Sequence, residues 1–186
     1  MLDVCADIVD VEGFPSVTID RVATTCGVSR TVVYQLFGGL DGMLDALVQR
    51  STERAAAAID AAGGAEGPRG AGAAMAQVLD AVDGDPATWR MFLVAPQVGP
   101  PALADNLAAG RALLRSRYED MIGSRSGALG ADPELTARLM LSMADEMVRL
   151  RLADPTLYTT ERLLAQVDWL TDTLVGPSAD TEGRSR

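Results

Sequence analysis

One stretch constrains the fold more than any other: residues 15–37, PSVTIDRVATTCGVSRTVVYQLF, in which two short apolar-periodic segments flank one glycine. Ile19, Val22 and Ala23 recur at helical spacing before Gly27, and Val28, Val32, Val33 and Phe37 recur after it. Thr18 is placed to cap the first segment and Ser29 the second, because a side-chain oxygen just ahead of a helix accepts one of its unpaired first-turn N–H groups. Gly27 falls where the bend needs a positive φ or a close backbone approach, and a residue without a Cβ meets either demand. Two short helices packed across a tight turn make a helix-turn-helix by spacing.

The rest of the chain reads as all-α, since alternating β-branched and polar runs bounded by hairpin turns are missing. Asp85-Pro86, Asp132-Pro133 and Asp154-Pro155 each precede an apolar periodic stretch. Asp can accept the unpaired N–H groups and Pro is pre-set for the first helical position, so these mark three helix starts, the third with an alternative start near Thr159. Gly63–Gly72 (GGAEGPRGAG), Pro96–Pro101 and Gly123–Gly130 (GSRSGALG) are breaks. The last two leave one helix over residues 102–122 between them. Two amphipathic helices come after the last break, with Leu135, Leu139, Met143, Met147 and Leu150 on one and Leu163, Leu164, Val167, Leu170 and Leu174 on the other.

Composition removes whole classes of chemistry. A chain of 186 residues, 48% hydrophobic and with mean hydropathy +0.12, can bury a proper core. No apolar run approaches the ~20 residues that span a bilayer, and no secretory signal pattern opens the chain, so a cytoplasmic protein without a membrane partner is expected. Histidine is absent, which removes His-based acid–base work, Ser-His-Asp and Cys-His nucleophiles and the commonest zinc sites. The adjacent carboxylates of Asp145 and Glu146 point to different sides of a helix instead of converging. Cys5 and Cys26 read as small buried thiols. The expectation is a protein that is not an enzyme and needs no cofactor or metal. All sixteen basic residues are arginine, so arginine is the only cationic contact available to a phosphate.

Gly13, Phe14, Thr18, Ala23, Gly27, Val28, Ser29, Tyr34, Phe37 and Leu44 together follow the pattern of an apolar helix, Gly-aromatic, a Thr-capped helix, Ala-Gly-Val-Ser-like turn and Tyr-x-x-Phe. In this the chain resembles the TetR family of transcriptional regulators, residue by residue over positions 1–50 and by architecture beyond. The resemblance implies a three-helix DNA-binding domain over residues 1–45, a linking helix over residues 41–62 and a ligand-binding and dimerisation domain over 46–176; residues 177–186 read by their composition as a disordered tail. It implies a homodimer formed through the two C-terminal helices, a double-stranded DNA operator and a small-molecule effector, most simply with repression relieved by the effector.

The second short helix would then enter the major groove with its N-terminal side chains toward the base edges. Arg30 can bond guanine N7 and O6 together and Gln35 adenine N6 and N7, each such pair contributing ~1–3 kcal/mol of discrimination. Thr18, Ser29, Thr31 and the Tyr34 hydroxyl are short donors suited to phosphates, and Arg21 could add a charge to the same face. Other features depart from the family. Thr31 stands where a small residue is usual, Val32 for Thr, Leu36 for His or Tyr and Leu40 for Lys, and Gly38, Gly39 and Gly42 add flexibility nearby. The formal charge is −10 overall, with three arginines against seven carboxylates in residues 1–50, whereas residues 18–37 alone carry +1. The chain also opens inside what should be the first helix, which raises the hypothesis of a longer native start.

An adaptable apolar effector cavity would be lined by Trp89, Phe92, Met121, Met140 and Met143, with Arg90 or Arg117 available for an acidic group. Few polar groups among them point to a small, mainly apolar compound. The alternative reading is a TetR-fold small-molecule carrier or protein-interaction module with weakened or lost DNA binding, favoured by the acidic first fifty residues and the missing Lys.

Overall fold

The computed structural model describes residues 1–63, 70–93, 99–125 and 132–175. Among them are nine α-helices and no strand: α1 (Leu2–Glu12), α2 (Ile19–Cys26), α3 (Arg30–Phe37), α4 (Leu40–Gly63), α5 (Ala71–Gly84), α6 (Pro86–Leu93), α7 (Pro101–Arg125), α8 (Pro133–Ala153) and α9 (Thr160–Val175). A single 3₁₀ turn, Phe14–Ser16, joins α1 to α2. The two short helices and the C-terminal pair fall where the hydrophobic periodicity places them, and α4 covers the linking helix expected over residues 41–62. No helix among the described residues is long and apolar enough to cross a membrane.

The helix starts show which local signals hold. Asp85 accepts from the Thr88 hydroxyl at 2.9 Å as α6 begins at Pro86, and Asp132 accepts from Leu135 N at 3.2 Å as α8 begins at Pro133. The third signal resolves to its later option. Asp154 instead folds a tight turn, accepting from Thr156 N, the Thr156 hydroxyl and Leu157 N, and α9 starts after Thr159, whose hydroxyl accepts from Arg162 N at 3.3 Å. At the other break α7 runs on to Arg125, so Gly123 lies inside a helix rather than ending it. The tail beyond Val175 lies outside the described residues.

The contacts divide the chain into two compact units, Met1–Ala57 with Val82–Ala109, and Ala58–Ala81 with Gly110–Arg186. In the first, α1 buries Cys5, Ile8 and Val9 and packs along α2 and α6, where Trp89, Met91 and Phe92 are buried. A two-pronged ion pair ties α1 to α6, Arg90 Nη1 lying 2.8 and 3.0 Å from the Asp10 carboxylate oxygens. Burial pushes the Cys5 thiol up to about 11. Cys26 is only half-buried, a correction to the expectation of two enclosed thiols.

In the second unit, Met75 and Leu79 of α5, Met147 of α8 and Leu163 and Val167 of α9 form one core cluster. Ile122 of α7 and Ala137 and Met140 of α8 form another, flanked by Tyr118, whose phenol is held above its usual range by burial and by the Asp145 charge. Leu135 and Leu139 are each 55% exposed and Trp169 is 61% exposed, so the C-terminal helices keep an apolar face outside this unit's core.

Candidate nucleic-acid interface

The geometry of α2 and α3 begins with their ends. Thr18 has extended backbone and its hydroxyl accepts from Arg21 N at 3.2 Å, capping α2. Gly27 ends α2 at φ 66°, the left-handed conformation, with Val28 N bonding back to Ala23 O at 3.0 Å. That sharp stop lets α3 begin three residues later. Ser29 occupies the N-cap position of α3, but its side chain makes no capping bond, so the expected cap is absent and the exposed hydroxyl is left for another partner.

Val33 anchors α3 with no exposure at all, and a valine so buried contributes roughly 1.5–3 kcal/mol. Around the opposite side, Arg30, Thr31, Tyr34 and Gln35 are all exposed. At ~100° per residue these four fall within an arc of about 140° of the helix circumference. The expected reading residues therefore share one open face. Leu36 lies beside it, 61% exposed, and Leu40 is half-buried at the start of α4.

The joint between α3 and α4 contains one close backbone approach. Gly38 ends α3 at φ 75°, and a Cβ on Gly42 would collide with the Phe37 carbonyl oxygen. Gly42 is thus a close-approach residue that lets α4 start against the end of α3.

The two cations near this face are paired inside the chain. Arg21 forms a two-pronged bond to Glu12 at the end of α1, which holds the Glu12 carboxyl below its usual range, mainly through the hydrogen bond itself. Arg30 Nε lies 2.9 Å from Asp20 Oδ1, with the two side chains 63% and 66% exposed. Both pairs cross a turn, so no helical spacing in the sequence announces either partner.

These helices and ends can be set against known proteins. No family model and no curated protein matches the sequence. Solved structures do match. A TetR-like transcriptional regulator from Rhodococcus sp. RHA1 superposes with a TM-score of 0.75 at 21% identity, covering 95% of this chain and 94% of that one. The fatty acid degradation regulator FadR from Bacillus halodurans gives 0.67 at 15% identity, over 95% and 97% of the two chains. The ketosteroid transcriptional regulator KstR2 of Mycobacterium tuberculosis gives 0.63 at 17% identity, over 94% and 91%.

The chain has the TetR fold.

Within that TetR fold the residues expected around an effector fall in both units. Trp89 and Phe92 are buried in the first unit. In the second, Met140 belongs to the cluster with Ile122 and Ala137, whereas half-buried Met143 packs on the cluster of Met75, Leu79 and Met147. The side chain of Met121 lies outside the described residues. Both arginines expected to take an acidic group already hold one, Arg90 on Asp10 and Arg117 on Asp60 at 2.6 Å. An open groove of about 490 Å³ between α7 and α8 is lined by Arg111, Arg115, Arg138 and Arg149 around Asp145. Each of these guanidiniums is also paired, Arg111 with Asp145 at 2.7 Å, Arg115 with Glu119 at 3.5 Å, Arg138 with Glu134 at 2.7 Å and Arg149 with Glu146 at 3.3 Å. An anion entering the groove would compete with four carboxylates.

Proposed function

We propose that the chain is a DNA-binding transcriptional regulator of the TetR type, reading a double-stranded operator as a homodimer. The observation that carries this reading is the exposed arc of α3, in which Arg30, Thr31, Tyr34 and Gln35 stand outward over a fully buried Val33. A helix held from behind by one core residue and bounded by Gly27 and Gly38 presents such side chains rigidly to a major groove. Arg30 and Gln35 read bases, while Thr18, Ser29, Thr31 and Tyr34 grip phosphates, which position the protein without specifying sequence. Arg21 adds charge to this face only when it leaves Glu12.

The dimer forms through α8 and α9. The exposed Leu135, Leu139 and Trp169 support an isologous contact there, which would set two reading heads one helical turn of DNA apart. The effector is a small, mainly apolar compound that binds better to the spacing of heads that cannot hold DNA, so that it relieves repression. The fatty acid and ketosteroid regulators among the proteins of similar fold support that class. Selection from random duplex DNA tests the reading. Enrichment of a near-palindromic site by the purified dimer is expected, and no enrichment at low salt would overturn it in favour of the carrier or protein-interaction module.

A further inference from the structure

We propose that Asp20 is a positioning residue for Arg30, holding its guanidinium so that the Nη1 and Nη2 edge faces a guanine. The proposal rests on the reading of α3 as the base-reading helix and assigns one base preference within it. Asp20 sits in the first turn of α2, where the positive end of the helix favours a carboxylate, and Arg30 opens α3 on the far side of the Gly27 turn. Their closest approach is through Arg30 Nε, 2.9 Å from Asp20 Oδ1. Arg30 has no other polar partner among the described residues, so its two terminal nitrogens are unengaged. The contact is an ion pair and not a directed Nε–H hydrogen bond, so it draws the planar guanidinium toward α2 by its Nε side and leaves the two terminal nitrogens for another partner. Two such donors match guanine O6 and N7.

Charge alone gives Asp20 the opposite role. A carboxylate near the phosphates repels DNA of any sequence, and residues 18–37 carry only +1 with it present. A repelling acid and a positioning acid therefore make different predictions when removed. Loss of repulsion raises affinity for matched and mismatched duplexes alike. Loss of positioning lowers the preference for one base, because the released guanidinium can swing to a phosphate instead.

The test uses the full chain and the duplex it selects, compared with single substitutions at each base pair of one half-site. Wild type is expected to prefer guanine at one position by about tenfold or more, the discrimination of a good bidentate pair, and Arg30→Ala to abolish that preference. Asp20→Ala should bind random duplex at least as tightly as wild type yet lose about fivefold of the guanine preference, with Asp20→Glu restoring part of it. Both side chains are exposed, and an unchanged melting curve by far-UV circular dichroism confirms that each variant is folded. Equal tightening on matched and mismatched duplexes by Asp20→Ala, with the preference intact, would overturn the positioning role and leave DNA reading standing. A selected site at which Arg30→Ala alters no base preference would do the same, whereas no selected site from wild type would overturn both.

Discussion

Gly42→Ala perturbs the joint that sets α3 against α4. A Cβ there would overlap the Phe37 carbonyl oxygen and sit 3.1 Å from its carbon, so the end of α3 or the start of α4 must move. The backbone atoms in its way belong to a finished helical turn and cannot rotate aside as a flexible side chain would. Overpacking of this kind costs ~1–3 kcal/mol or more, against which alanine regains up to ~1 kcal/mol of helix propensity. The net is a loss of about 1–2 kcal/mol, and for a chain of this size ~2–4 °C of Tm goes with each kcal/mol, so a fall of about 2–8 °C is expected. Trp89 is 8% exposed in the same unit, and its fluorescence in a Trp169→Phe background reports that unit's melting. Gly110→Ala is the control, because nothing lies within 4 Å of its Cβ position in the middle of α7. By far-UV circular dichroism it should stabilise the chain by ~0.5–1 kcal/mol. A Gly42→Ala variant that melts at or above wild type would refute the close-approach argument.

Three other side chains give outcomes that can be measured separately. Leu139→Glu places a charge on the exposed face of α8 and should convert the dimer to monomer in sedimentation velocity without loss of helicity, and a persistent dimer would move the interface elsewhere. Arg21→Ala should let the Glu12 carboxyl titrate higher, toward its ordinary value, in an NMR pH titration. The Glu12–Arg21 bond lowers the folded pKa, so its stabilisation is present above the ordinary glutamate range and lost as pH falls through the depressed value. At neutral pH a thiol reagent should label Cys26 and spare Cys5, which is buried and has its pKa pushed up to about 11, and equal labelling would contradict the packing of α1.

Signals that act within a few residues are legible in the sequence. Gly27, Thr18, Asp132 and the buried stripe through Val33 each arise from chain geometry that only local neighbours decide. Asp154 is ambiguous because the same carboxylate can cap a helix or close a tight turn on Thr156 and Leu157, and the two begin with the same residues. Gly42 looks like slack because its partner, the Phe37 carbonyl, comes near only after the turn has formed. The ion pairs of Arg21 and Arg30 reach across turns, where no period links the partners. Met140 and Met143 lie three apart on α8 yet enter separate clusters, because the two positions meet different neighbours. Hydrophobic spacing says which face is covered but not what covers it.

Backbone amide exchange with and without duplex DNA at low salt reads out whether DNA lies on the exposed face of α3 and the ends of α2 and α3. Slower exchange confined to the first turns of α2 and α3, around Thr18–Arg21 and Ser29–Val32, is expected. Slower exchange confined to the second unit, or none anywhere under conditions where duplex is bound, would contradict it.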